Sequence, residues 1–394
     1  MSDNNVVIEV DGNNFEHYKT GSVSRKFDEF CGSFSFVATK DQAEGFNIDA
    51  QSNCNIYVND KKAITGVIDK VEPSEDPNSS EVTISGRDIT CDIVDSSLPT
   101  SIHLSGDFNL VTVIEKVVES LGLPCKVINQ IEDLRPFTAS DVVSSEVDKN
   151  AFEFINEYAE KVSAILITDE EGNIVITRAG ENRVPDKILN EVGNDDNNVE
   201  SSSVSYDFSN RYNKYIVVSQ GNTNTSATSI SIDSVSQKGE ATDDEVRPSR
   251  VLVIKPSNAC DSATCQEIAT LEANVRRANS LNYSCVVSGF ELNSGELYKI
   301  NTLMQVIDND CFIESELLVK GVSYDFGDGS TTTLEFGVAD AYTMQANLDE
   351  IDARTNKTNS KKSTGKSGKS SSGKKTTKLS PEAQKKVNEI LGVK

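Results

Sequence analysis

The stretch Ile64–Ser97, ITGVIDKVEPSEDPNSSEVTISGRDITCDIVDSS, decides the fold. Val67-Ile68-Asp69-Lys70-Val71 and Val82-Thr83-Ile84-Ser85 alternate apolar and polar residues around the polar turn Pro73 to Ser80. That period of two is the pattern of paired strands with one buried face. Upstream the same alternation recurs in Val6-Val7-Ile8-Glu9-Val10, Ser33-Phe34-Ser35-Phe36-Val37 and Asn55-Ile56-Tyr57-Val58, with Asn59-Asp60 as a turn. Residues 1–98 therefore read as an antiparallel β-barrel or sandwich.

Downstream the period changes. Leu110, Val113, Ile114, Val117, Val118 and Leu121 share one face of a helix that ends before Gly122 and Pro124. A second helix is expected after Asp148 as its cap, burying Phe152, Ile155, Ala159 and Val162. Ile165-Leu166-Ile167 and Ile174-Val175-Ile176 then flank the turn Asp169–Asn173, so 99–199 reads as a small α+β domain. Strands are expected at 203–208, 212–220 and 251–254. The polar run GNTNTSATSISIDSVSQKGEATDDE between the last two is too poor in apolar residues to pack, and is read as a mobile loop. A helix over about 261–281 carries Cys265, Ile268, Leu271, Val275 and Ala278 on one face, and strands resume near 284–290, 303–307, 312–326 and 331–338. KTNSKKSTGKSGKSSSGKKTTK is a Lys/Ser/Gly tract with nothing to bury, a tether over 349–379. Ser380-Pro381-Glu382 opens a short helix over 380–394.

Gly66–Asp88 and Gly321–Asp340 half-match: GVIDKV, a turn and EVTISGRD against GVSYDF, a turn and TTTLEFGVAD. Any two hairpins share alternation and a turn glycine, so this likeness alone is a weak sign of duplication.

The chain has 394 residues, two to four domains' worth, with 37% hydrophobic residues and no Trp. No run approaches the roughly 18 apolar residues of a membrane span, and MSDNNVVIEVDGNN lacks a signal peptide's basic and apolar regions. The expectation is a protein folded in a cytoplasm and outside membranes. Its net charge of −24 is divided: residues 354–394 hold 12 Lys/Arg against Glu382 and Glu389, a net of +10, which leaves −34 on residues 1–353. An acidic body repels phosphate and argues against nucleic-acid binding by counterion release, though not against DNA passing nearby.

Catalytic chemistry finds little footing. His17 and His103 have no Cys, Asp or Glu at metal-ligand spacing. The eight cysteines lack paired spacing and read as reduced, packed thiols, Cys260 and Cys265 included. Asp325-Phe326-Gly327 spells a kinase metal motif without a phosphate loop beside it. Asp308 and Asp310 read as solvated turn formers, and among 62 Asp/Glu no carboxylate pair stands out for hydrolysis. No catalytic, cofactor-binding or metal residue is expected.

The Ile64–Ser97 stretch resembles the N-terminal signature of the Mu-type phage baseplate hub proteins, the contractile-tail hub family that includes late control protein D. The matching residues are Gly66, Ile68, Asp69, Val71, Pro73 and Ser74, then Val82, Ile84, Ser85, Gly86, Arg87, Asp88, Thr90, Asp92, Ile93, Val94, Asp95 and Ser97. SYDFSNRYNKYIVVSQG (Ser205–Gly221), the helix with Arg276-Arg277-Ala278 and GVSYDFGDGSTTTLEFGVADAY follow in the family's order. The resemblance implies a mainly β, α+β protein with two similar tube-like barrels: residues 1–98, and a second from 200–256 with 312–348, interrupted by a helix-plus-strand insertion at 257–311. It implies a homotrimer presenting six barrels between a hexameric tail tube protein and a trimeric central spike protein, in the baseplate of a virion tail assembled in the host cytoplasm. Tape-measure and baseplate wedge proteins are further expected neighbours, DNA would traverse the lumen without sequence-specific binding, and lumen carboxylates would keep it from sticking. Arg87 and Asp88 are expected to shape the fold or a subunit contact. The basic end, with Lys366, Lys369, Lys374, Lys375, Lys385, Lys386, Ile390 and Leu391, is the candidate partner-binding segment. The competing readings are a peptidoglycan-degrading tail-tip enzyme and the hub of a phage-derived injection or secretion particle.

Overall fold

The computed structural model describes residues 5–348 apart from 16, 40–47, 78, 138–142, 146, 192, 221–235, 257–259, 328 and 344–346. The expected tether, the terminal helix and the eight candidate tail residues from Lys366 to Leu391 lie outside the described residues. The chain divides into two compact units. The first holds residues 1–159, 164–204 and 283–336, and the second 160–163, 205–282 and 337–394.

The first unit is built on β1 (Val6–Val10), β2 (Asn13–Phe15), β3 (Tyr18–Lys26), β4 (Ser33–Thr39), β5 (Asn53–Val58), β6 (Lys61–Asp76) and β7 (Ser79–Asp88). They pair in the order β3-β4-β7-β6-β5-β1-β2, each with its neighbour antiparallel. Alternation does the folding: Val82, Ile84, Gly86 and Asp88 point inward from β7, and Val23, Arg25 and Phe27 from β3 and its end. Ile8, Phe36, Ile56, Ile64, Ile68 and Ile84 are fully buried together. The Tyr18 hydroxyl at the head of β3 donates to the Val6 carbonyl of β1 at 3.0 Å, so the sheet curls its ends toward each other. Gly66 and Gly86 are required by this closeness: a Cβ on either would lie 2.4 or 2.1 Å from a backbone oxygen of the neighbouring strand, with the Phe34 ring also in the way.

The sheet continues beyond this curl. The 14-residue strand Ile313–Phe326 pairs with β3 through Gly321–Phe326 and with Thr302–Asp308 through its first half. Ser330–Gly337 extends the order on its other side, and the whole sheet has 13 strands. The half-matching hairpins, β6–β7 and Ile313–Gly337, thus occupy one sheet with β3 and β4 between them. The strands expected to join 200–256 in a second barrel cluster instead with the N-terminal unit. The fold is mostly β with few helices, as the sequence suggested.

Between these parts lies the expected α+β portion. Helix Leu110–Leu121 is capped by the Asn109 side chain on the Thr112 N–H at 3.0 Å and stops at Gly122 in the left-handed region. Helix Ala151–Glu160 is capped by Asn150, which accepts from Glu153 N–H at 2.9 Å. Asp148, the expected cap, sits two residues earlier at φ 78°. The buried face is Ala151, Phe154, Ile155, Tyr158 and Ala159, and Phe152 is half-buried against the Phe30 ring at 4.7 Å. The hairpin Ile165–Thr168 and Ile174–Thr177 forms as read, its turn held by Asp169 accepting from Glu171 and Asn173 N–H groups.

In the second unit, helix Ser262–Ala278 is capped by Asp261 and buries the five residues expected of it. It packs on a three-stranded sheet ordered Ser236–Thr242, Lys214–Gln220, Val251–Ile254. Ser236–Thr242 corrects the loop reading: this polar stretch is a strand because Gly239 lets it approach the helix, where a Cβ would fall 2.2 Å from the Cys265 backbone. Residues 221–235 of the same run lie outside the described residues.

Candidate functional site

The signature Ser85-Gly86-Arg87-Asp88 ends in a buried ion pair. Asp88 is fully buried on the inward phase of β7, and Arg25 of β3 is 8% exposed. Arg25 Nη1 donates to Thr168 Oγ1 at 2.8 Å and to the Thr168 carbonyl at 3.2 Å, and lies 3.4 Å from Asp88 Oδ2. Asp88 Oδ2 also accepts from Gly32 N–H at 2.7 Å and the Thr168 hydroxyl at 2.7 Å, while Oδ1 accepts from Thr90 N–H at 3.1 Å and the Thr90 hydroxyl. One carboxylate therefore joins β3, the β3–β4 turn, the exit of β7 and the Ile165–Thr177 hairpin.

Arg87 points the other way. Its Nε donates to Asp69 at 2.7 Å and its Nη2 to Asp95 at 2.6 Å, clamping β6 to the short helix Cys91–Asp95. The Arg87 hydrogen bonds hold the exposed Asp95 carboxyl below its ordinary range, and hydrogen bonds to Asp95 and Asp69 raise the guanidinium further above its own. A guanidinium in contact with two acids suits this position better than an ammonium, because its planar fork reaches both at once.

The second family-like block holds a similar node. Arg211 is completely buried; Nε and Nη2 meet the two oxygens of Asp243 at 2.9 and 3.0 Å, and Nη2 also contacts Glu245. Arg277 adds a bond to Asp243 at 3.1 Å, and the Phe208 ring lies 4.1 Å from the Arg211 guanidinium carbon. Sequence reading placed Asp243 in a mobile loop and missed this pair.

Asp308 is a further correction. It is fully buried in the first unit, accepting from Tyr283 Oη at 2.8 Å, Asn190 Nδ2 at 3.1 Å and Cys311 N–H at 2.9 Å. Burial alone would raise its pKa, but the hydrogen bonds from Ser202, Asn190, Cys311 and Tyr283 outweigh it and hold the carboxyl below its usual range. Asp310 is exposed, as a turn former should be. Asp325 ends its strand beside a turn, accepting from Thr333, with burial raising its pKa. His17 is an exposed residue between strands, and His103 accompanies Ser144 at 3.0 Å. Among the described residues no group of three or more His, Cys, Asp or Glu is arranged to hold a metal, and no helix is long and apolar enough to cross a membrane.

These buried charges share one chemistry: each carboxylate has its lone pairs occupied by fixed donors, which suits holding segments together. The molecule is thus a mostly β protein whose named polar clusters are architectural. Residues 5–88 match the family model described as Mu phage baseplate assembly protein GpP-like, N-terminal. The chain is 23% identical over 332 residues to the baseplate hub protein gp44 of Escherichia phage Mu, covering 82% of this chain and 85% of the relative. Its likeness to the Mu-type phage baseplate hub proteins is thereby shown. The fold is shared with the 43 kDa tail protein of prophage MuSo2 from Shewanella oneidensis, at TM-score 0.71 and 22% identity, over 86% of this chain and 99% of that one. A tail protein from Neisseria meningitidis MC58 superposes at TM-score 0.69 with 19% identity, over 86% and 98%.

Proposed function

We propose that the chain is the structural baseplate hub subunit of a contractile phage-type tail, in which three copies form a ring joining the hexameric tail tube to the trimeric spike. The observation that carries this reading is the sheet order: the two half-matching hairpins flank β3 and β4 in one continuous sheet. A subunit with two related strand pairs in one sheet can present two similar elements to its neighbours, so three copies would offer six positions to a hexameric tube and three to a spike. The end strands of the sheet order, β2 and Val199–Tyr206, are edges that assembly would cover. In this reading the chain performs no catalysis, DNA passes through the lumen on ejection, and part of the −34 body charge faces that passage.

The Lys-rich end, including Lys366, Lys369, Lys374, Lys375, Lys385, Lys386, Ile390 and Leu391, is proposed to bind a neighbouring tail protein. Its removal should abolish that contact and leave subunit self-association intact. Light scattering of the purified chain, alone and with its spike protein, tests the ring. A mass of three subunits in either sample is expected; a strict monomer in both would overturn the reading. Clearing of purified cell walls by the isolated chain would favour the enzymatic alternative.

A further inference from the structure

The second unit places two thiols side by side at the start of its helix. Cys260 stands just before the capping residue Asp261, and Cys265 lies in the first turns of helix Ser262–Ala278. Their sulfurs are 3.3 Å apart, Cys265 is fully buried and Cys260 is 8% exposed. The backbone at both cysteines is fixed: Cys260 N–H donates to Ser219 Oγ of the central strand at 2.9 Å, and Cys265 N–H to the Asp261 carbonyl at 2.9 Å. The Gly239 backbone closes over the Cys265 backbone from the sheet side. A disulfide needs its sulfurs at about 2.05 Å, so closing this gap takes a shift of little more than an ångström.

We propose that Cys260 and Cys265 are a redox-modifiable pair that closes into an intramolecular disulfide when the protein meets a two-electron peroxide-class oxidant. With hydrogen peroxide the first thiolate attacks one oxygen, the O–O bond breaks, and a sulfenic acid and water form. The second thiol then attacks that sulfur, an S–S bond forms, and a second water leaves carrying the thiol protons. Two thiols are oxidised and one peroxide is reduced to two waters. Closure pins the start of the helix to the chain segment leading out of strand Val251–Ile254, shortening the motions open to the second unit. Desolvation, followed by the neighbouring Cys260, pushes the Cys265 thiol up to about 12, so closure should be slow at neutral pH and faster in alkali.

Peptide mapping of the full chain tests this. The protein is treated with hydrogen peroxide, remaining thiols are alkylated without reduction, and trypsin releases Val251–Arg276, since Lys255 precedes Pro256; this peptide contains Cys260 and Cys265 and no other cysteine. The expected result is that this peptide becomes lighter by two hydrogens and resists alkylation, no disulfide-linked oligomer appears on a denaturing non-reducing gel, and dithiothreitol reverses the change. In Cys260→Ser the same peptide should show no such loss. The oxidised protein should also melt a few degrees higher than the reduced one. Full alkylation of both cysteines after peroxide, or their conversion to sulfinic and sulfonic acids without loss of two hydrogens, would overturn the proposal.

Discussion

Replacing Asp88 by Ala offers the sharpest test of the signature's role. The substitution removes the acceptor of Gly32 N–H, Thr90 N–H and the Thr168 hydroxyl, and leaves Arg25 charged at 8% exposure with neutral acceptors alone, Thr168 and the Ala63 carbonyl. Breaking a buried pair by deleting one partner costs about 3–5 kcal/mol, because the survivor's charge stays buried without compensation. For a unit of this size that corresponds to a fall in melting midpoint of about 10 °C. Asp88→Asn should be almost as damaging: both oxygens accept backbone N–H groups, so an amide must set its own NH2 against one of them. Arg25→Met should cost less, since the carboxylate keeps its other donors. The assay is calorimetric or far-UV CD melting of the two single variants and the double variant. A coupling energy of about 2 kcal/mol is expected, with the double variant more stable than the sum of the singles allows. A midpoint for Asp88→Ala within about 2 °C of the wild type, or strict additivity of the two substitutions, would refute the reasoning.

Other perturbations follow from the same geometry. Gly86→Ala, whose Cβ would meet the Val67 carbonyl at 2.1 Å, should destabilise by about 1–3 kcal/mol in denaturant melts, whereas Gly329→Ala, in open space, should stay within about 0.5 kcal/mol. Arg211→Met leaves Asp243 fully buried with fewer partners and should cost about 3–5 kcal/mol, read as loss of the second unit's cooperative unfolding. Asp308 has a depressed folded pKa, so its contribution is present above the unfolded carboxylate value of about 3.9 and is lost as pH falls through the folded one. The acid limb of the melting midpoint against pH should therefore flatten in Asp308→Asn; an unchanged limb would exclude Asp308 as its source.

The elements legible in the sequence are those whose signal is local. Leu110–Leu121 and Ser262–Ala278 show their helical face in their own spacing, and their ends carry their own caps in Asn109, Gly122 and Asp261. β6 and β7 show alternation on both sides of one turn. The strands that escaped reading depend on a distant partner. Asn182–Asn190 contains Pro185 and charged residues, yet pairs in parallel with Thr302–Asp308, with its register shifting between Arg183 and Lys187 where proline has no N–H to offer. Ser236–Thr242 has almost no apolar content and is a strand because Gly239 admits the helix.

The buried ion pairs were half legible. Arg25, Asp88 and Asp308 each fall on the inward phase of an alternating strand, after Val23, Ile84 and Val306, a signal that the turn reading of Asp308 passed over. It does not name their partners, because Arg25 meets Asp88 across 63 residues and Thr168 across 143. By itself the sequence determined alternation, caps, charge division and the family-like signature, all of which are encoded in neighbours along the chain. Only the tertiary structure decided that Ile313–Phe326 lies against β3, that Asp243 neutralises Arg211, and that Asp308 is enclosed. Those depend on which surfaces meet when strands far apart in the chain exclude water together.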